Sequence, residues 1–419
     1  MGVERKIQVE QLISAEPEAG PGALPELLTV EAFAGGAPHE LFDRIRREQP
    51  VLPSYLADGR RVWSLVRLAD VRQASNNPAA FSSRWGPSFT GNPKIEDRSP
   101  EFVMAVDPPE HDRLRHFFKL AFGPKVVRNF ETWIRELSLE IIAKIRGEHG
   151  SFDFIHSVAA ELPASVIAVI LGMPAEDRHL MVEWANDVFA VTDGTPEGMQ
   201  RSIAAQKNLS AYAMELREKK RSAPGDDMVS MLIGAEYDGV PLTDEEYRWF
   251  TLTTMSAGYE TTHTAIAQAM LYLMTHPDAY AEFHSLDEDG INNALNELLR
   301  YVTPAMQMSR MTTCDVEIGG VTIPKGEEVI MWYAAANRDP AAFEDPHRVD
   351  FKRRSNAHAA FGGGGPHFCI GNQLARLEMR ILFEEFFRND IRFELAAEPE
   401  RLRSMMINGL KHMPVRLVR

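Results

Sequence analysis

A loop with four consecutive glycines and a proline is the feature that most constrains the fold of this 419-residue chain; it reads Phe361-Gly-Gly-Gly-Gly-Pro-His-Phe-Cys369. Glycine and proline at this density exclude a regular helix or a central strand. A helical pattern follows over Asn372–Phe387, so Cys369 falls at a helix N-terminus, where free amides and the helix dipole favour a thiolate. Such a thiolate could bind a soft metal or the iron of a haem.

These residues alone leave other interpretations of the loop open. A lone cysteine is most often a small buried hydrophobic residue. A glycine-rich turn before a helix can bind phosphate, although no Gly-Lys-Ser/Thr follows and no Gly-x-Gly-x-x-Gly follows a clear strand. A structural zinc site needs paired cysteines, and His358, His367 and Cys369 are accompanied only by Cys314.

Composition restricts the class of protein. Hydrophobic residues make up 44% of the chain, enough for a large core, and the formal charge of −15 argues against a nucleic-acid partner. Two cysteines provide no disulfide framework, which favours a reducing cytoplasm. No apolar signal region or bilayer-length apolar stretch is present. We therefore expect a cytoplasmic monomer without a membrane anchor.

The apolar spacing predicts a mainly α protein with a smaller β part. Residues 1–35, rich in Pro and Gly, predict an irregular N-terminal arm, and residues 36–419 a single large domain, because no repeat or long polar linker divides them. Val51–Leu56 and Arg61–Val66 predict a hairpin, and short strands are expected over Val316–Met331 and residues 395–419. Helices are predicted over His111–Phe122, Val127–Gly147, Ala159–Leu171, Arg178–Val191, Arg201–Ser222, Asp244–Thr275 and Ile291–Val302.

Two constellations on these helices are candidates for function. Glu297 and Arg300 share a helix face, which could be only an exposed ion pair, and Arg338 adds a third charge in an apolar context. In the longest helix, Gly258 is unfavourable by about 1 kcal/mol relative to Ala, which suggests a local break. The break could be a packing notch between helices or a groove beside which Glu260 and Thr261 relay protons.

A third constellation consists of cationic donors. His111 and Arg115 are spaced i, i+4 at a helix start, so they share one face that could bind an anion such as a carboxylate. Arg310 and His367 would add donors of the same kind. A solvated basic stripe is the alternative.

Together these features resemble the cytochrome P450 superfamily, and the resemblance extends from about residue 40 to the C-terminus. A single Glu-x-x-Arg has almost no specificity, but four motifs in the family's order are highly specific. The length and the two ends look like the bacterial soluble class. The four motifs are Ala257-Gly-Tyr-Glu-Thr-Thr262, Glu297-x-x-Arg300, Ala336-Asn-Arg-Asp339 and Gly365-Pro-His-Phe-Cys-Ile-Gly371.

The resemblance implies a cytochrome P450 fold and a haem b whose iron is bound by the Cys369 thiolate, which favours O–O cleavage. Thr261 and Glu260 would manage water and protons, and Gly258 with Ala257 would form an oxygen groove. Glu297, Arg300 and Arg338 would lock a buried structural network. The other cofactor-binding residues that it implies are His111, Arg115, Arg310 and His367 for the propionates, Gly365 and Gly371 for close backbone approach, and Phe361.

One departure from the family pattern concerns Phe361. The family usually has Phe seven residues before the cysteine, where this chain has Gly362, and Phe361 is eight before it. The loop is thus one residue longer, although Phe361 is still expected to pack near the thiolate. Loops of this length are similar to those of bacterial members that oxidise sterols, branched lipids and terpenes.

The implied reaction is monooxygenation, in which R–H, O₂ and two electrons give R–OH and water. The chain has no evident nicotinamide or flavin site, so a separate ferredoxin-type partner is expected to supply the electrons. A basic patch on the cysteine side would attract an acidic redox protein, although ordinary surface charge is the alternative. The patch would comprise Arg113, Lys119, Lys125, Arg376 and Arg380.

The expected substrate is an apolar small molecule of terpenoid, steroid or fatty or branched-lipid type, with Gln307 and Asn408 available to orient one polar group. The alternatives are a carrier-protein-tethered substrate in natural-product biosynthesis, a haem-thiolate binding protein without turnover, and a peroxide-driven or isomerising haem enzyme. The Glu260–Thr261 pair argues against the last two. The segments expected to line the pocket are Trp85–Val103, Trp184–Val191, Thr254–Thr261, Ala305–Met308 and Met405–Asn408.

Overall fold

The computed structural model describes residues 25–56, 58–90, 100–189, 195–225, 227–354 and 356–418. Helices dominate these residues and form one extended core, with the sheets at its edges. The α-helices are α1 His39–Glu48, α2 Leu68–Ser75, α3 Glu110–Phe122, α4 Pro124–Arg128, α5 Glu131–Arg146, α6 Glu161–Ile170, α7 Arg178–Phe189, α8 Pro196–Ser222, α9 Met228–Ile233, α10 Asp244–Thr275, α11 Pro277–His284, α12 Glu288–Val302, α13 Tyr333–Ala336 and α14 Asn372–Arg388.

The strands form one larger sheet, in the order β1-β2-β10-β7-β3, a smaller sheet β11-β14-β4, and three two-stranded ribbons. In the larger sheet β10 runs parallel to β2 and antiparallel to β7. The strands are β1 Val51–Tyr55, β2 Arg61–Leu65, β3 Phe81–Ser82, β4 Phe152–Asp153, β5 Glu236–Tyr237, β6 Val240–Pro241, β7 Gln307–Thr312, β8 Val316–Ile318, β9 Val321–Ile323, β10 Glu328–Trp332, β11 Phe393–Leu395, β12 Glu400–Arg401, β13 Leu410–His412 and β14 Pro414–Leu417.

Helix α10 is the central element of the helical core. A capping box begins it: the Thr243 hydroxyl accepts from the N–H of Glu246, whose carboxylate accepts from the N–H of Thr243. The helix packs against α6, α8, α12 and α14. Its apolar residues are buried on several sides, which is why it is stable over 32 residues despite Gly258 and its many threonines.

The sequence predicted most of these elements. The bounds of α10 and the hairpin β1–β2 are confirmed. The predicted break at Gly258 is wrong, because α10 is a continuous helix. The helix predicted over Val127–Gly147 is in fact two, since α4 ends at Arg128 and α5 begins at Glu131. Most of the predicted N-terminal arm lies outside the described residues, and its remainder forms two short 3₁₀ turns, in which Leu27 and Phe33 are buried.

Candidate active site

Cys369 lies immediately before α14. The N–H groups of Gly371 and Asn372 donate to its sulfur, and the charges of Arg115 and Arg376 act in the same direction. Burial nevertheless outweighs these effects and raises the pKa of the Cys369 thiol, whereas the sequence predicted that the helix N-terminus would favour the thiolate. A metal ion at the sulfur would reverse this balance, because a coordinating thiol is deprotonated outright.

The glycines of the loop are required by packing against the end of α2. Gly362, Gly364 and Gly365 have φ angles of 99°, 105° and 73°, which favour glycine. A Cβ atom on Gly365 would lie 2.0 Å from the carbonyl oxygen of Ser75. Gly371 differs, because a Cβ atom there would meet nothing within 4 Å; its predicted role in close approach to a cofactor stays a prediction.

Phe361 stays next to Cys369 despite the longer loop. The N–H of Cys369 donates to the carbonyl oxygen of Phe361 at 2.9 Å. The guanidinium carbon of Arg376 lies 4.3 Å from the centroid of the Phe361 ring, a cation–π contact. The extra glycine is thus accommodated between these two residues without separating them.

The four predicted propionate ligands come together close to the cysteine. The ring centroids of His111 and His367 are 4.3 Å apart. Burial lowers the pKa of His367 well below its usual range, and the charges of Arg310, His111 and Arg115 lower it further. Two guanidinium groups and a second imidazole therefore surround His367, and Arg115 also experiences the charge of Cys369.

Arg115, Arg310 and His111 have few partners in the protein, whereas Nε2 of His367 lies 3.1 Å from the Ser83 hydroxyl. Arg115 donates to the carbonyl oxygen of Phe368 and Arg310 donates to that of Ser309 at 2.8 Å. Within the described ranges neither arginine forms a salt bridge with a carboxylate, and the buried Nε2 of His111 has no hydrogen-bond partner. Buried cations without counter-charges are unfavourable, so this cluster is suited to an anion that carries carboxylates. The propionates of a haem have this chemistry, and a buried thiol beside them suits its iron.

One face of α10 is open in the middle of the helix. Ala257 is exposed and Thr261 half-buried, although their neighbours Tyr259 and Thr262 are buried. The Thr261 hydroxyl donates to the carbonyl oxygen of Ala257 at 2.8 Å, the local bond that threonine forms in helix interiors. Gly258 lies elsewhere on the helix surface: a Cβ atom on it would be 3.2 Å from Cδ1 of Ile167. The packing notch between helices, one of the two alternatives considered from the sequence, is therefore present at Gly258.

Glu260 is a buried acid without a strong partner. Burial raises the pKa of Glu260 to about 8, so its carboxyl group is mainly protonated at neutral pH. The nearest basic atom is Nδ1 of His263 at 3.9 Å from Oε2. Burial also lowers the pKa of His263 to about 4, and Nδ1 has no hydrogen-bond partner. The pair therefore consists of a neutral acid and a neutral imidazole.

The Glu297–Arg300 pair is a fully buried ion pair. Arg300 donates from Nε and Nη2 to the two carboxylate oxygens at 2.8 and 2.7 Å. Nε of Arg353 contacts both oxygens at 3.1 Å, and the Asp350 N–H and the Asn356 side chain each donate at 3.0 Å. Five donor groups thus satisfy this carboxylate.

Arg338, the third predicted member of this network, is buried and joins it through the backbone of Arg300. Arg338 does not contact Glu297: its guanidinium donates to the carbonyl oxygens of Arg300 and Tyr301 at 3.3 and 2.7 Å and lies 3.9 Å from the Tyr301 ring centroid. Arg353 takes the position beside the carboxylate, and the sequence analysis missed it. Its only signal was a charged run, Lys352-Arg353-Arg354, shortly before the glycine loop.

The structure describes only part of the predicted pocket lining. Residues 91–99 and 190–191 of the predicted lining lie outside the described residues. Gln307 is buried, and its amide accepts from and donates to the backbone of Phe89 at 3.2 and 3.0 Å, so the prediction that it orients a substrate is not supported. Asn408 donates to the Val302 carbonyl oxygen, and its buried Oδ1 has no partner.

The predicted basic patch is smaller than expected. Arg113 forms a salt bridge with Glu246, and Arg380 forms salt bridges with Glu288 and Glu384 at 2.8 and 3.0 Å. Arg376 is half-buried against Phe361. The basic side chains at this side that are exposed are Lys119, Lys125 and Arg128 on α3 and α4.

A helical fold with a half-buried cysteine before a helix, beside arginines without carboxylate partners, is suited to a cofactor that carries both a metal ion and carboxylates. The Cytochrome P450 family profile matches residues 19–285 and 291–412, and the chain therefore belongs to the cytochrome P450 family. It has the cytochrome P450 fold and is a cytochrome P450 monooxygenase, a class whose members use haem.

Three relatives illustrate this similarity. The chain is 34% identical over 391 residues to a methyl-branched lipid omega-hydroxylase of Mycobacterium tuberculosis, which covers 89% of this chain and 90% of the relative. A Mycobacterium marinum cytochrome P450 in complex with pseudoionone has a TM-score of 0.84 at 28% identity and covers 97% of this chain and 100% of that one. P450BioI in complex with a fatty-acyl carrier protein has a TM-score of 0.81 at 28% identity, with coverages of 92% and 100%.

None of the described helices is both long and apolar enough to cross a bilayer.

Proposed function

We propose that this protein hydroxylates an apolar small molecule of terpenoid, steroid or fatty or branched-lipid type, with O₂ and two electrons from a separate redox protein. The observation that carries this proposal is the Cys369 sulfur, to which two amide N–H groups donate. Close to it lie Arg115 and Arg310, neither of which forms a salt bridge with a carboxylate among the described residues. The named activity of the lipid hydroxylase relative supports the substrate class.

In this proposal Cys369 binds the iron of haem b, and His111, Arg115, Arg310 and His367 bind its propionates. When bound, the haem supplies the binding and activation of O₂. The unpaired Nε2 of His111 and the guanidinium groups of Arg115 and Arg310 would then gain acceptors in a buried place, which removes the cost of unpaired cations.

Glu260 is the proposed proton donor, and Thr261 is proposed to position the proton path. The Glu260 carboxyl group holds a proton at neutral pH, because burial raises its pKa to about 8. The Thr261 hydroxyl donates a hydrogen bond to the carbonyl oxygen of Ala257 at 2.8 Å, which leaves the hydroxyl oxygen free to accept a hydrogen bond from water on the open face of α10. The acid would therefore supply protons and the alcohol would position them.

The electron donor is proposed to be an acidic ferredoxin-type protein. It would approach over Lys119, Lys125 and Arg128, which are exposed. Opposite charge there would accelerate encounter at low salt. Arg113 and Arg380 contribute less than the sequence suggested, because carboxylates neutralise both.

A carrier-tethered substrate is the second candidate. It is favoured by the fatty-acyl carrier protein in the complex of the relative P450BioI. Free apolar ligands distinguish the two candidates, because a ligand that binds in the haem pocket would shift the haem spectrum from low to high spin. A shift with free branched fatty acids or terpenoids supports the free substrate, whereas a shift only with acyl carrier protein supports the tethered one.

The test of the proton relay is Thr261→Ala in the haem-loaded enzyme with a ferredoxin system. We expect product formed per reducing equivalent to fall at least about tenfold and the missing equivalents to appear as hydrogen peroxide. Thr275→Ala is the matched control, because Thr275 makes the same bond to the Leu271 carbonyl oxygen at 2.8 Å near the end of α10. Equal coupling in Thr261→Ala and in the wild type would remove Thr261 from the relay.

A further inference from the structure

Three short elements bring two histidines and an aspartate together at the edge of the fold. Asp153 ends β4, His156 lies on a π-helical turn over Ile155–Ala159, and His412 ends β13. Their possible ligand atoms all lie within 4.8 Å of one another. No other such group of three occurs in the ranges that the structure describes, and none of these residues belongs to the site around Cys369.

The spacing of the ligand atoms is close to that of a tetrahedral metal site. Nδ1 of His412 lies 2.7 Å from Oδ2 of Asp153, and Nε2 of His156 lies 3.8 Å from the same oxygen. Metal–ligand bonds of about 2.0–2.1 Å at tetrahedral angles place neighbouring ligand atoms roughly 3.3 Å apart. The two observed distances lie on either side of this value, so small side-chain rotations would bring the three ligand atoms to the spacing of a tetrahedral site.

The backbone orients the carboxylate toward the histidines. Oδ1 of Asp153 accepts from the N–H groups of Ile155 and Met413, both at 3.0 Å. These bonds leave Oδ2 directed at the two imidazoles. Outer hydrogen bonds of this kind fix metal ligands in place. A surface ion pair between His412 and Asp153 alone would not need the second imidazole, whose centroid lies 5.7 Å from that of His412.

The cluster is open enough for an ion to enter. The side chains of His156 and His412 are 55% and 43% exposed, and that of Asp153 is 22% exposed. Water could therefore complete the coordination, as in zinc sites with three protein ligands. Two imidazoles and one carboxylate suit zinc, nickel or copper better than magnesium or calcium.

We propose that Asp153, His156 and His412 form a binding site for a divalent transition metal of the zinc class. The metal would connect β4 and the adjacent π-helical turn with β13, which is distant from them in sequence. It would therefore hold the C-terminal segment that contains β13 and β14 against β4, with which β14 pairs. The site is independent of the proposed monooxygenase activity.

The test uses the haem-loaded, chelator-treated protein and zinc in competition with a fluorescent zinc indicator. We expect one site at micromolar zinc and a rise in Tm on saturation. His156→Gln and His412→Gln should each weaken this site by about tenfold or more and abolish the rise in Tm. His149→Gln is the matched control, because His149 is exposed and lies outside the cluster, and it should bind zinc as the wild type does.

Two results would overturn the proposal. One is the absence of wild-type binding at micromolar zinc. The other is binding that both cluster variants retain, which would place the zinc at other histidines. Because both histidines are largely exposed, neither variant is expected to impair folding, and the haem absorbance of each variant checks that directly.

Discussion

Two buried glutamates in this protein have opposite surroundings. Glu297 is completely buried, receives hydrogen bonds from five donor groups and pairs with two guanidinium groups. Glu260 is almost as buried, but its nearest basic atom is 3.9 Å away, and burial raises its pKa to about 8. The first arrangement stabilises a charge, and the second keeps a proton on the acid.

This difference extends to the regions around the two residues. The segment around Glu297 connects α12 with the chain that precedes the glycine loop, through Asp350, Arg353 and Asn356. The α10 region instead contains buried polar atoms without partners: Thr253 Oγ1, Thr254 Oγ1, His263 Nδ1 and Thr264 Oγ1. We infer that the first region stabilises the fold, whereas the second is less stable because its buried polar groups serve the reaction.

The largest expected effect is at Glu297. Glu297→Ala leaves two buried guanidinium groups without a counter-charge, so we expect the free energy of unfolding to fall by about 3–5 kcal/mol and little haem-loaded protein to accumulate. Urea unfolding measures this change. Glu344→Ala, at an exposed carboxylate, should change the free energy by less than about 0.5 kcal/mol. A loss below about 1 kcal/mol for Glu297→Ala would contradict the role assigned to this region.

The second effect is at Glu260 and depends on pH. Because the folded pKa of about 8 lies above the unfolded pKa of 4.5, stability from the neutral acid is present below the unfolded pKa and is lost as pH rises to about 8. Glu260→Gln removes this loss, on the order of 1.4 kcal/mol per pKa unit. We expect the free energy of unfolding of Glu260→Gln, measured in urea, to exceed that of the wild type by an amount that grows between pH 5 and 8, roughly the range between the two pKa values.

Glu48→Gln, at an exposed carboxylate, is the control for this measurement and should show no such pH trend. A constant difference between Glu260→Gln and the wild type across the pH range would mean that Glu260 is not held neutral. Glu260→Gln should also lose coupled product formation, because an amide cannot donate a proton as an acid does.

The smallest effect concerns the unpaired hydroxyls. Thr264→Val removes a buried Oγ1 that has no partner, so stability should stay the same or rise slightly. Thr251→Val is the matched variant on the same helix, because the Thr251 hydroxyl donates to the Tyr247 carbonyl oxygen at 3.1 Å; it should cost about 1 kcal/mol. If thermal unfolding showed equal losses of stability in the two variants, the Thr264 hydroxyl would have a hydrogen-bond partner in solution.

The sequence predicted local features well and long-range contacts poorly. The bounds of α10 followed from its apolar spacing, and the pairing of Glu297 with Arg300 from their i, i+3 relation. Arg353 was missed because it reaches Glu297 across 56 residues. The contact of Gly365 with Ser75 was equally invisible, since nothing local indicates that α2 ends at this loop.

The same limit explains the errors. The break at Gly258 was predicted from intrinsic helix propensity, but close packing on Ile167 favours glycine there and the helix continues. The thiolate preference of Cys369 was predicted from its helix N-terminus, whereas burial, a property of the whole fold, raises the pKa of the thiol. Gln307 was assigned a role that its contacts with the Phe89 backbone do not support, and Arg338 joins the Glu297 network through the Arg300 carbonyl oxygen and not through the carboxylate.

The central claim, that Cys369 is the thiolate ligand of a haem, is tested by the absorption spectrum of the reduced protein under carbon monoxide. The account predicts the red-shifted Soret band of a thiolate-bound haem in the wild type and its loss in Cys369→Ser. Cys314→Ser, at the exposed second cysteine, should keep the band. An ordinary haem–carbon monoxide band in the wild type, or a red-shifted band that persists in Cys369→Ser, would contradict the account.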